Sequence, residues 1–94
     1  MNFYFGGTAP DDGQAAHRRR MGIVPNAVYG WHRHDARFDL ARNPNEPNRF
    51  GWVVEVDVRD PASTPVKRTA LGRFKHEGAT FALAPDGRVV IHMG

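Results

Sequence analysis

From Trp52 to Val58 the chain alternates, with Trp52, Val54, Val56 and Val58 on one side and Val53, Glu55 and Asp57 on the other. A period of two predicts a half-buried strand. The run Asp60-Pro61-Ala62-Ser63-Thr64-Pro65 interrupts it, because each proline removes a ladder donor and fixes φ while Asp and Ser bond nearby backbone. A second extended run follows from Val66 to about Phe74. Ala79–Ala84 and Arg88–Met93 read as two further strands around Pro85-Asp86-Gly87, where Pro85 presets the first turn angle and Gly87 accepts a positive φ. Given a matching register, Phe81 and Leu83 share a face with Val89, Ile91 and Met93. The expected fold is mainly β, an antiparallel four-stranded meander over residues 50–94. One blade of a β-propeller has this pattern, as do a small open sheet and part of a sandwich.

The first half reads differently. Phe3, Tyr4, Phe5, Gly6 and Gly7 form either an edge strand or an aromatic clamp. Asp11 or Asp12 can cap a short helix near residues 12–20, with the basic residues in its last turn and Gly22 just past its end. Ile23 to Arg49 shows no period; Pro25, Gly30, Pro44 and Pro47 punctuate it, and Tyr29, Trp31 and Phe38 are its expected anchors. A connection of that length inside a compact domain usually contributes to a site. The expected organisation is thus an irregular, loop-rich excursion over 1–49, then the meander over 50–94.

At 94 residues the chain has room for one domain at most, and without cysteine it has neither a disulfide framework nor a thiolate metal site. No apolar run is long enough to span a bilayer, and the N-terminus lacks the apolar stretch of a signal peptide. The net charge of +3 is concentrated in Arg18-Arg19-Arg20, with Lys67-Arg68 a second pair. Such runs are solvated surface or, less often, a phosphate-backbone patch on which Tyr29 or Trp31 would stack bases. A small basic nucleic-acid-binding module is therefore the alternative reading, and a sheet that associates through unpaired edges is a third.

Three groups of residues can carry chemistry. His32 and His34 sit two apart, so an extended backbone would aim both imidazoles to one side, as a metal pair requires. Asn43-Pro44-Asn45-Glu46-Pro47-Asn48 places amide and carboxylate oxygens on a stiff loop, which suits a calcium loop through Asn45, Glu46 and Asn48 or a turn that caps its own backbone. Lys75-His76-Glu77-Gly78 lies between two strands: a carboxylate beside a permissive glycine can approach a cation, and Arg73, Lys75 and His76 can receive an anion.

The segments NEPNRFGWVVEVD, DPASTPVKRTALGRFKHEGA and APDGRVVIHMG closely resemble the PhoX family of bacterial alkaline phosphatases. The similarity extends more weakly through TAPDD and YGWHRHDARFDLA, back to Tyr4-Phe5. The resemblance implies a much longer, propeller-like enzyme, periplasmic or secreted, that hydrolyses phosphate monoesters with a cluster of iron and calcium ions. Glu77 then resembles a cluster ligand, and Lys75 stands where relatives can carry a phosphate-facing arginine. Arg73 and His76 are supporting or substrate-binding candidates. Lys supplies charge without the bidentate fork of Arg. The cysteine ligand of characterised relatives is absent here, and in the family the strand ending at Met93-Gly94 leads into an aspartate pair. The expectation is an internal piece of a phosphatase, inactive in isolation, with the rest of the propeller missing.

Overall fold

The structure is a computed structural model that describes residues 3–23 and 28–94. The chain forms two compact units, Met1–Phe50 and Gly51–Gly94. Pro25, one of the expected punctuation points, lies outside the described residues.

In the first unit α1, the one α-helix among the described residues, spans Ala15–Arg20. The residue before it, Gln14, offers no side-chain cap; Asp12 instead accepts the Gln14 N–H at 3.1 Å and pairs with Arg18 through both carboxylate oxygens. The helix ends in a Schellman arrangement, in which Ile23 N–H donates to the Arg18 carbonyl and Gly22 N–H to that of Arg19, both at 2.9 Å. Gly22 takes φ 73°, a left-handed value that glycine adopts at little cost.

That exit carries Met21 and Ile23 into a small core with Phe5 and Leu40, all four at most 4% exposed, and Tyr4, Phe38 and Phe50 pack around it. Phe5 contacts the Phe38 and Phe50 rings at centroid distances of 5.6 and 5.4 Å. The opening segment acts as the aromatic clamp: Phe3 stacks on Tyr29, and Tyr4 lies 4.7 Å from Trp31. An isolated parallel bridge between Gly6 and Asp39 anchors it, with Gly6 N–H donating to Phe38 and Leu40 N–H to Gly6. The rest of the excursion is built from short 3-10 turns at Trp31–Arg33, Ala36–Phe38 and Glu46–Arg49. Proline, glycine and Asx bonding such as Asp35 to Arg37 N–H fix local turns but leave no length for a ladder.

The second unit is antiparallel throughout. Strand β1 (Val54–Glu55) pairs with β2 (Val66–Lys67), and β3 (Ala79–Leu83) with β4 (Val89–Met93). Consecutive strands pair as a meander requires, but the ladder does not continue from β2 to β3, giving two two-stranded sheets. The first hairpin is shorter than the alternation at 52–58 implies. Asp57 and Asp60 accept the N–H groups of Arg59 and Ala62, bending the chain before a longer ladder forms. After β2, a 3-10 turn at Thr69–Leu71 and Gly72 at φ 83° end the second extended run. The half-buried face expected for the first strand is not seen: Val54 and Val56 are half exposed and Val58 is 91% exposed.

The second hairpin turns through Pro85-Asp86-Gly87. Gly87 N–H donates to Ala84 at 2.9 Å and Ala84 N–H to Arg88 at 2.8 Å, with Gly87 at φ 83°. This is the three-residue loop in which a turn is followed by a left-handed residue. The register sets Phe81 opposite Ile91, Leu83 opposite Val89 and Ala79 opposite Met93. Directly opposed residues share a face, so one side of this hairpin is wholly apolar.

Candidate functional site

The Lys75–Glu77 segment leads into β3. Its backbone is held at three points: Phe74 N–H donates to Gly51 at 3.0 Å, His76 N–H to Phe74 at 3.1 Å, and Glu77 N–H to the Gly94 carbonyl at 2.6 Å. Lys75 and Glu77 are exposed, whereas Arg73 and His76 are partly buried. The Phe74 and His76 rings meet at 3.6 Å between centroids. Burial lowers the Arg73 guanidinium from its usual value, although a group this basic stays a cation at any physiological pH. The segment therefore joins a carboxylate, an ammonium, a guanidinium and an imidazole within five residues, two of them open to solvent. Such a set can offer an oxygen ligand to a cation and positive charge to a phosphoryl group.

The Asn45–Asn48 segment is organised otherwise. Glu46 Oε1 accepts from Arg37 Nε at 2.6 Å, and Oε2 from Arg49 at 3.3 Å. The Arg37 hydrogen bond, with Arg49 adding to it against a smaller opposing effect of burial, holds the Glu46 carboxyl below its usual range. Asn45 Oδ1 accepts from Gln14 Nε2 at 2.9 Å, and Asn48 Nδ2 donates to Gln14 Oε1 at 3.0 Å. Arg42 and Arg49 line the adjoining groove of about 440 Å³. Three arginines, Arg37 and Arg49 on the carboxylate and Arg42 beside them in the groove, suit a divalent cation poorly, and Asn45 and Asn48 tie the loop to Gln14 at the start of α1. Sequence reasoning missed Gln14 and Arg37 as organisers, since both act across many intervening residues and neither belongs to a local motif.

The histidine pair dissolves on folding. His32 lies inside the 3-10 turn Trp31–Arg33 and His34 follows it, so residues two apart do not share a side as they would on an extended backbone. Among the described residues no group of three His, Cys, Asp or Glu side chains could hold a metal ion. Part of the basic set is paired, while Arg19 and Arg20 are exposed. Arg18 is 7% exposed and bonded to Asp12, Arg68 pairs with Glu55, and the Lys67 ammonium lies 5.5 Å from the centre of the Trp52 ring.

These features define a small antiparallel β unit with a charged strand-entry loop. The family model for alkaline phosphatase PhoX matches residues 1–94, and the chain belongs to that family. A solved structure of Pseudomonas fluorescens PhoX in complex with vanadate, a transition state analogue, is 50% identical, with a TM-score of 0.84. The alignment covers 100% of this chain and 16% of that one, which is consistent with one piece of a propeller-like fold. No curated protein matches the chain.

Proposed function

We propose that this chain is a segment of a metal-dependent phosphomonoesterase, working only within a family-length protein that is periplasmic or secreted. The observation that carries this is the 50% identity over the whole chain with a relative whose structure holds vanadate. Vanadate mimics a phosphoryl group in transit, and a site that binds it is complementary to phosphoryl transfer.

In this reading Glu77 is one oxygen ligand of the metal centre. Its exposed carboxylate makes no ion pair or side-chain hydrogen bond among the described residues, which fits that role. Calcium and iron are the metals the family resemblance points to, and the remaining ligands lie outside this chain. Bound there, they would polarise phosphoryl oxygens and activate an oxygen nucleophile. Lys75 supplies positive charge to the phosphate monoester, and Arg73 adds to the local field from a partly buried position.

The test is replacement. The 94-residue chain alone, given calcium and iron, should not hydrolyse a chromogenic phosphate ester. The Pseudomonas fluorescens protein with its matching segment exchanged for this chain should do so. In that chimera Glu77→Ala should lower bound metal and reduce turnover by at least about 100-fold. Lys75→Ala should weaken turnover by about 100-fold while metal stays bound. Full metal content and turnover in Glu77→Ala would remove the site assignment.

A further inference from the structure

The bond from His76 N–H to the Phe74 carbonyl closes a three-residue γ-turn with Lys75 at its centre. The bonds from Phe74 to Gly51 and from Glu77 to Gly94 fix the chain on either side of it. The turn brings the Phe74 and His76 rings into contact at 3.6 Å, with their planes 38° apart. Both of those residues are partly buried, while Lys75 and Glu77 are exposed. The tetrapeptide is thereby sorted into two ring-bearing residues that hold it and two charged residues that it displays.

We propose that His76 is a positioning residue, whose ring, packed at a tilt against Phe74, locks the γ-turn that presents Lys75 and Glu77 together. This rests on the site reading given above. One backbone bond across three residues does not repay the conformational freedom they give up. A ring contact inside the same turn adds stabilisation of comparable size, so the closed turn depends on it. The face of the imidazole carries the role. Its two nitrogens are buried without a hydrogen-bond partner among the described residues, and buried nitrogens of that kind favour an apolar ring at the same position. Phenylalanine at position 76 should therefore serve as well as histidine, and alanine should not.

Two measurements test this. In the isotopically labelled 94-residue chain, His76→Ala should speed hydrogen exchange at the residue-76 amide, the donor of the γ-turn bond, by about tenfold, and His76→Phe should leave it within about twofold. In the chimera, His76→Ala should weaken vanadate binding by about tenfold with KM for the ester nearly unchanged, and His76→Phe should restore it. Unchanged exchange at the residue-76 amide in the alanine variant overturns the proposal, as does a phenylalanine variant that behaves like alanine. A chimera in which Glu77→Ala abolishes vanadate binding but His76→Ala does not also overturns it, leaving the site reading intact. If Glu77→Ala leaves vanadate binding unchanged, the site reading falls, and the claim that the ring locks the turn is decided by the exchange data alone.

Discussion

Gly7 shows how closely single atoms constrain the first unit. A Cβ placed there would sit 2.5 Å from Asp39 Oδ1, and the backbone holds φ 79°. That oxygen accepts the Ala41 N–H at 2.9 Å, so it cannot swing aside without losing a bond beside the Gly6–Asp39 bridge. Gly13 has nearly the same φ, 76°, with nothing within 4 Å of its Cβ position. The two glycines separate backbone strain from collision. Gly13→Ala should cost about 1 kcal/mol from the left-handed backbone alone. Gly7→Ala should cost about 1–3 kcal/mol more, read as a difference between urea midpoints. Equal costs at the two positions would mean that Asp39 relaxes freely.

Among the secondary elements, two carboxylates fasten the ends of short helical turns. Asp12 joins the start of α1 to Arg18, and Glu46 joins the 3-10 turn at 46–49 to Arg37. Each carboxyl is held below its usual value, 3.8 for Asp12 and 4.5 for Glu46, chiefly by the hydrogen bond from its arginine. A depressed folded-state pKa gives stability that is present above the unfolded value and is lost as pH falls through the folded one. Structure around the Trp31 cluster should therefore hold at neutral pH and weaken progressively below about pH 4. Tryptophan fluorescence in urea at stepped pH reads this. Replacing both acids, Asp12→Asn with Glu46→Gln, should lower the neutral-pH midpoint and flatten its acid dependence; an unaltered acid limb would place the titrating groups elsewhere. The β3–β4 hairpin was legible in the sequence because alternation and a Pro-Asp-Gly turn are local signals. The β1–β2 ladder was legible only in outline, since the aspartates that shorten it also read as ordinary strand-end residues. The choice between a calcium loop and a self-capping turn, and the geometry of the histidine pair, were not legible for a common reason. Ligand spacing can be read along a chain, but the arginines that occupy Glu46 and the 3-10 turn that separates His32 from His34 are set by folding.

For the molecule as a whole, the decisive fact is proportion, since the chain spans 16% of the solved relative's length. Lys75 and Glu77 were legible from the residues only as a charged strand-end group; the family resemblance supplied their roles, since four residues of mixed charge carry no motif by themselves. What the second unit lacks is cover. All five residues of β3 are exposed, and Phe81, Leu83 and Val89 are 69%, 68% and 61% exposed along one continuous face. The 94-residue chain should accordingly show concentration-dependent association by sedimentation, and the pair Phe81→Ser with Leu83→Thr should suppress it. A monomer at every concentration would mean that the face is shielded in solution.

That uncovered ladder has a cellular consequence as well. A polypeptide released with this surface bare would light up a dye such as ANS, and holdase chaperones would retain it. Its lifetime would then be set by proteases rather than by any enzymatic task.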